Sequence, residues 1–228
     1  MKQIALDIAL APEPTLDMFA QGRNAAALQH LRLWSTGGVR SPVPTYLWGE
    51  SGSGKTHLLR AVRQSLAAQG ASVGWLDTQT PPGAVFDDAW DAVLMDDVDV
   101  YNAEQQHTAF NFFINAVTPA SGRPRAVLAA GAVPPADLPL REDLRTRLGW
   151  GHVFELQLLA EAEGRAVLRQ AADARGVFLS DEVMDFVLKR FSRDLGSLML
   201  LLDQLDRYAL QTQRAITIPL VKSMLENV

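Results

Sequence analysis

The chain has 228 residues, of which 48% are hydrophobic and 21% charged, a composition typical of a folded protein and not of a disordered one. It contains no cysteine, which excludes disulfide scaffolds and thiolate metal sites, and its net charge of −5 argues against broad electrostatic capture of duplex DNA. Because no segment approaches the roughly 20 apolar residues of a membrane span, and residues 1–10 lack the apolar run of a signal peptide, we expect a cytoplasmic protein.

Short apolar runs alternate with longer amphipathic ones over roughly residues 16–156. Thr45–Trp48 is a predicted strand that ends at a glycine, and the apolar spacing predicts a helix over Lys55–Ala68. Three more runs predict strands and one predicts a helix: Val73–Leu76, Ala92–Met95, Ala126–Ala130 and the helical Glu104–Val117. Strands that alternate with helices imply parallel pairing, so we expect a doubly wound α/β layer with nucleotide at the carboxyl ends of its strands.

The strand signals stop after Leu159. Ala160–Ala174 is a predicted helix, and Ser180 is the expected N-cap of a second one. Apolar spacing from Leu195 to Ala209 predicts a third helix, and residues 219–225 predict a short last one. The expected organisation is therefore an N-terminal segment of residues 1–12, an α/β domain of residues 13–156 and a small helical domain of residues 157–228.

A phosphate-binding motif follows the first predicted strand. The sequence Gly-Glu-Ser-Gly-Ser-Gly-Lys-Thr fits the pattern G-x-x-x-x-G-K-[ST], in which backbone N–H groups and a helix N-terminus favour phosphate. We expect Lys55 to reach the β- and γ-phosphates and the Thr56 hydroxyl to ligate Mg²⁺. An ordinary glycine turn is the alternative. The residues predicted to bind ADP or ATP are Gly49, Glu50, Ser51, Gly52, Ser53, Gly54, Lys55, Thr56 and the adjoining His57.

Two carboxylates, Asp96 and Asp97, follow the predicted strand Ala92–Met95, as in a Walker B motif. Asp96 is predicted to hold Mg²⁺, directly or through water, and Asp97 to polarise the attacking water as a general base. The alternative is that Asp97 and Asp99 are only loop acids after a strand. None of the four histidines has metal-ligand spacing, so we assign them no metal.

Further motifs are spread along the chain beyond the phosphate loop. They are Gly-Glu-Ser-Gly-Ser-Gly-Lys-Thr-His-Leu at 49–58, Leu-Met-Asp-Asp-Val-Asp at 94–99, Asp-Leu-Arg-Thr-Arg-Leu-Gly-Trp-Gly at 143–151, Asp-Gln-Leu-Asp-Arg at 203–207 and Thr-Ile-Pro at 217–219. With these the chain resembles the AAA+ core of the DnaA family of replication initiators, and more closely the DnaA-homologous regulators that inactivate the initiator. The resemblance implies an AAA+ P-loop core with a parallel sheet, followed by an all-α lid.

The resemblance also implies two sites for partners. Arg147 lies at the position of the family's arginine finger, which acts in trans on the nucleotide of a neighbouring subunit; an ion pair with an acid on its own surface is the alternative. Gln3, Leu6 and Ile8 resemble the family's clamp-binding motif, an extended peptide that fills a groove on the DNA sliding clamp. A ragged N-terminal strand is the alternative there.

The chain departs from the initiator pattern in three places. Residues 129–131 read Ala-Ala-Gly where initiators carry a polar sensor, and Gly196 falls where the lid presents a sensing arginine, with Arg193 one turn away. Both departures predict weak coupling of the chain's own γ-phosphate to hydrolysis. The initiator's helix-turn-helix domain has no counterpart before Val228, so we expect no sequence-specific DNA binding by this chain.

The function that the resemblance implies is negative regulation of replication initiation. A nucleotide-bound chain would dock on the sliding clamp and stimulate hydrolysis of ATP bound to DnaA. Two alternatives are a self-sufficient ATPase or loader acting on nucleic acid, and a non-catalytic scaffold between clamp and initiator. The sequence leaves open the choice between ADP and ATP, the intrinsic ATPase activity and the assembly into homodimers or larger oligomers.

Overall fold

The computed structural model describes residues 13–36, 41–120, 122–190 and 195–226. Contacts divide them into two compact units, with the boundary between Gln157 and Leu158. Each unit has a hydrophobic core of its own.

The first unit is built on a parallel sheet of five strands. The strands are Thr45–Trp48 (β1), Val73–Leu76 (β2), Ala92–Met95 (β3), Ala126–Gly131 (β4) and His152–Glu155 (β5). Their order across the sheet is β2-β3-β4-β1-β5, and every neighbouring pair is parallel. The predicted doubly wound α/β layer is therefore confirmed, and the end of β4 lies between the segments that follow β1 and β3.

Four helices cover the two faces of this sheet: Ala25–Thr36 (α1), Lys55–Ala68 (α2), Ala103–Val117 (α3) and Glu142–Gly149 (α4). Helices α1 and α2 bury Leu31 and Leu59 against one face. Helices α3 and α4 bury Phe113 and Leu148 against the other, together with Tyr46 of β1. The side chains of a strand alternate between faces, so each central strand contributes to both cores. The sequence analysis missed α1, α4 and β5.

The second unit is a helical bundle, as predicted. Its helices are Glu161–Ala174 (α5), Asp181–Arg190 (α6), Leu195–Thr212 (α7) and Ile218–Glu226 (α8). Leu168, Val187 and Val221 belong to its buried core. The backbone N–H of Val183 donates to Ser180 Oγ at 3.4 Å, which confirms Ser180 as the N-cap of α6. Across the part of the chain that the structure describes, no helix is long and apolar enough to cross a bilayer.

A buried arginine fixes the long connection between β2 and β3. The Arg125 side chain is only 8% exposed, and its Nε donates to the carbonyl oxygen of Trp90 at 2.8 Å. Its Nη1 donates to the carbonyl oxygen of Asn115 at 3.4 Å, and its Nη2 to that of Asp88. One guanidinium thus joins this connection to α3.

We expect Arg125→Ala to lower the free energy of unfolding by about 2–4 kcal/mol, because it removes a buried side chain that donates to three part-buried carbonyl oxygens. The matched control is Arg123→Ala, since the Arg123 side chain is 70% exposed in its ion pair with Asp91, and such pairs contribute at most about 1 kcal/mol. Urea unfolding of both variants measures the difference. Equal losses would contradict this role of Arg125.

Candidate nucleotide-binding site

The phosphate loop takes a conformation that only glycine adopts readily. Gly52 and Gly54 have φ angles of 84° and 93°, in the left-handed region. A Cβ atom on Gly54 would also lie 2.6 Å from Cε2 of Phe19. One on Gly49 would overlap the carbonyl oxygen of Leu156. The loop is therefore closely packed against Phe19 and the Leu156 carbonyl, and a side chain at Gly49 or Gly54 would disrupt it.

Lys55 begins α2 and lies under this loop. Its Nζ donates to the carbonyl oxygens of Gly49 at 2.7 Å and Glu50 at 3.0 Å, and the residue is buried. Within the described ranges no carboxylate pairs with Lys55, and the buried Ser53 Oγ has no hydrogen-bond partner. An unneutralised ammonium and an orphaned hydroxyl beside a glycine loop fit a site for phosphate oxygens.

The predicted acid pair follows β3 at the same edge of the sheet as the phosphate loop. Asp96 is buried, and its carboxylate hydrogen-bonds with Thr56 in the first turn of α2. Burial raises the pKa of Asp96, and the hydrogen bond with Thr56 opposes that rise only in part. Asp97 is exposed and has a φ angle of 50°. Its backbone N–H donates to Asp96 Oδ1 at 3.1 Å. The structure thus brings together the two oxygen ligands predicted for Mg²⁺.

The segment that precedes α1 packs beside the phosphate loop, and the sequence analysis did not predict this packing. His57 Nε2 donates to the carbonyl oxygen of Thr15 at 3.1 Å, and its ring centroid is 5.9 Å from that of Phe19. Asn24 binds both backbone groups of Gln157, donating at 2.9 Å and accepting at 2.8 Å. This segment is irregular, so no periodic pattern marked it.

Lowering the pH is expected to destabilise the protein through His57. Burial lowers the pKa of His57, although its hydrogen bond with Thr15 opposes the shift. Below the ordinary value of about 6.5, the unfolded chain therefore binds more protons than the folded one, and stability falls as pH falls through this window. We expect His57→Gln to show a smaller loss between pH 7.5 and 5.5 in urea unfolding; an unchanged loss would contradict the assignment. His30, whose pKa is also lowered by burial, is present in both proteins.

Arg147 lies in the last turn of α4 and is exposed. Its guanidinium is 5.7 Å from the ring centroid of Phe110. The guanidinium of Arg141 lies 4.6 Å from the centroid of the same ring. Arg141 also forms a bidentate ion pair, in which its Nε and Nη2 donate to the Asp143 carboxylate at 2.6 and 2.7 Å. No acid pairs with Arg147 among the residues that the structure describes. It is a fixed cation without a counter-charge in this part of its own chain.

An open groove of about 870 Å³ runs between α3 and α4 beside Arg147. Phe113 and Val117 contribute apolar surface, and Trp150, which is 67% exposed, stands at the end of α4. An exposed indole beside an unpaired cation is typical of a surface that contacts another protein.

Three residues predicted to bind the clamp, Gln3, Leu6 and Ile8, lie outside the described residues, and so does Arg193. Gly196 falls in α7. Ala129 and Ala130 are buried within β4, so this strand presents no polar side chain there. No group of three or more metal-ligating side chains occurs within the described ranges.

Comparisons with known proteins agree with this geometry. Residues 161–225 match the family model described as "Hda, lid domain". An uncharacterised protein of Haemophilus influenzae is 35% identical over 231 residues, covering 98% of each chain. Domain III of the Thermotoga maritima replication initiation protein DnaA superposes with a TM-score of 0.76 at 19% identity, over 96% of this chain and 98% of that one. AMPPCP-bound DnaA from Aquifex aeolicus superposes with a TM-score of 0.68 at 20% identity, over 86% of this chain and 66% of that one.

A parallel sheet of order β2-β3-β4-β1-β5, with a phosphate loop after β1, acids after β3 and a helical unit beyond, defines the AAA+ class of P-loop proteins. Within that class the relationship extends over the whole chain. The chain belongs to the Hda family of DnaA-related AAA+ proteins.

Proposed function

We propose that this chain is a nucleotide-bound regulator that stimulates hydrolysis of ATP held by a DnaA-type initiator. In this proposal Gly49–Thr56 and His57 bind ADP or ATP, Arg147 reaches the initiator's nucleotide, and residues 1–12 attach the protein to the sliding clamp. Family membership supports the assignment to replication control. The protein acts in the cytoplasm and represses initiation.

The exposed Arg147 is the observation that carries the proposal. A guanidinium without an acid partner in the described part of the chain is available to a γ-phosphate brought by another protein. The guanidinium lies over the Phe110 ring, which also carries Arg141. The groove beside it, with Trp150 exposed, offers a surface for that partner. An arginine supplied in trans can raise the rate of phosphoryl transfer by about 10³–10⁵.

The chain's own site has the residues to hold a magnesium nucleotide. Lys55 would neutralise the phosphates, while Thr56 and Asp96 would hold Mg²⁺, which neutralises charge on the phosphate oxygens when bound. Asp97, exposed beside Asp96, is the general base in this proposal. Because β4 offers no polar sensor, intrinsic hydrolysis is slow. AMPPCP-bound DnaA, which shares the fold, supports an adenine nucleotide as the ligand.

In this proposal each of the domains expected from the sequence has its own role. Residues 1–12 carry Gln3, Leu6 and Ile8 for the clamp, residues 13–156 bind nucleotide, and residues 157–228 form the lid. Sequence-specific DNA binding is left to the initiator. A homodimer or larger oligomer fits this proposal only if it leaves Arg147 accessible to the initiator.

Reconstitution tests the proposal. ATP hydrolysis by the initiator is measured with sliding clamp and DNA, with and without this chain, and we expect stimulation only when all components are present. Gln3→Ala should reduce the effect by weakening attachment to the clamp. Strong DNA-stimulated turnover by this chain without the initiator would instead favour a loader, and initiator turnover that the chain leaves unchanged would contradict the proposal.

A further inference from the structure

Trp150 carries an exposed indole on a tightly packed backbone. The residue is 67% exposed at the end of α4, and a glycine stands on each side of it. A Cβ atom on Gly149 would lie 3.0 Å from Cβ of Pro135. One on Gly151 would overlap the carbonyl oxygen of Pro44. The two glycines therefore let the chain approach these prolines closely on both sides of the indole.

Hydrogen bonds fix the same stretch of backbone. The N–H of Trp150 donates to the carbonyl oxygen of Arg147 at 3.3 Å, which continues the last turn of α4. The N–H of His152 donates to the carbonyl oxygen of Pro44 at 2.9 Å, where β5 begins beside β1. A partner that binds the indole does not have to order this backbone, so less conformational entropy is lost on binding.

Trp150 and Arg147 both line the groove between α3 and α4. Phe113 and Val117 add apolar surface to the same groove. A protein whose nucleotide reaches the Arg147 guanidinium therefore also covers the indole. Tryptophan is among the residues that most often contribute the largest share of the binding energy at protein interfaces.

We propose that Trp150 anchors the initiator, a nucleotide-bound P-loop protein, and sets the affinity of the complex. The inference rests on the proposed function. The groove fits the initiator because it is continuous with the guanidinium that the initiator's nucleotide must reach. Burial of an indole stabilises a complex most when the opposing surface is apolar, so the initiator presents an apolar side chain beside its nucleotide.

Trp150 and Arg147 act on different quantities in this proposal. An indole that contacts the surface of the initiator contributes equally before and during hydrolysis, so it changes the affinity and not the maximal rate. A guanidinium at the γ-phosphate stabilises the transition state and so changes the rate constant.

The test measures ATP hydrolysis by the initiator against the concentration of this chain, with sliding clamp and DNA present. For Trp150→Ala we expect the half-saturating concentration to rise about 10-fold, and the maximal rate constant to stay within about twofold of wild type. Trp150→Phe keeps an aromatic ring and should recover most of the affinity. Arg147→Ala should instead lower the maximal rate. Unchanged binding of ADP shows that each variant is folded.

Leu33→Ala is the matched control. Leu33 is 69% exposed on α1, which covers the opposite face of the sheet from α3 and α4. Its replacement removes a similarly exposed apolar side chain and should change neither the half-saturating concentration nor the maximal rate.

An unchanged half-saturating concentration for Trp150→Ala, or a fall in the maximal rate alone, would overturn the anchoring role and leave the proposed function in place. Sedimentation tests whether a second copy of this chain covers the indole instead. Weaker self-association of Trp150→Ala with unchanged half-saturation would also overturn the proposal. If the wild-type chain does not stimulate hydrolysis, the proposed function fails and this inference fails with it.

Discussion

Replacing Arg147 with alanine is expected to abolish most of the stimulation of initiator ATP hydrolysis, with a loss of roughly 10³-fold in the stimulated rate constant. The side chain has no acid partner in the described residues, so its removal breaks no ion pair there. Leu144 and Leu148, which anchor α4 in the core, are untouched. The chain's own nucleotide affinity should be unchanged, because Arg147 belongs to the surface for the partner in this account.

Arg145→Ala is the matched control for this prediction. It removes the same charge from the same helix, and Arg145 has no aromatic ring beneath it among the described contacts. Arg145 is half-buried. We expect its stimulation to lie within about threefold of wild type, since a single surface charge steers association only weakly at physiological salt. Equal stimulation by Arg147→Ala and wild type would contradict the role of Arg147 as an arginine finger and would favour the scaffold alternative.

Replacing Lys55 with alanine should weaken ADP and ATP binding by about 10- to 100-fold, because charge-assisted hydrogen bonds to phosphate each contribute about 1.5–3 kcal/mol. Lys55 Nζ now bonds to the carbonyl oxygens of Gly49 and Glu50, inside the loop that surrounds the phosphates. A fluorescent ADP analogue measures the affinity directly.

The control for Lys55 is Arg63→Ala, on the same helix. Arg63 is exposed and lies 5.5 Å from the ring of Trp75, so it is a cation outside the loop. Its loss should change nucleotide affinity less than about twofold. Similar losses in both variants would show that α2 contributes only general positive charge and that the loop does not bind phosphate specifically.

Local patterns predicted the central elements of the fold well. The bounds of β1, β3 and α2 agree with their apolar runs and with the loop glycines, because buried central strands need continuous apolar sequence. The edge strand β2 was also predicted, since two of its four residues are buried. Strand β5 was missed for the complementary reason. It is an edge strand whose residues are mostly exposed, so His152–Glu155 carries no such run. Helix α4 is short and polar and buries only Leu144 and Leu148.

The sequence likewise predicted some parts of the candidate site and missed others. The phosphate loop and acid pair are contiguous motifs, so sequence alone located them and predicted their chemistry. The packing of Phe19 on Gly54, the stacking of Arg147 on Phe110 and the close approach of Gly151 to Pro44 join residues from distant segments. Such contacts depend on how helices and strands pack, which no local pattern contains.

Equilibrium binding of ADP and ATP to the purified chain in the presence of Mg²⁺ tests the central claim most directly. The account predicts saturable binding of one adenine nucleotide per chain, weakened about 10- to 100-fold when Lys55 is replaced and unchanged when Arg147 is replaced. A chain that is folded by circular dichroism and yet binds neither nucleotide would contradict it.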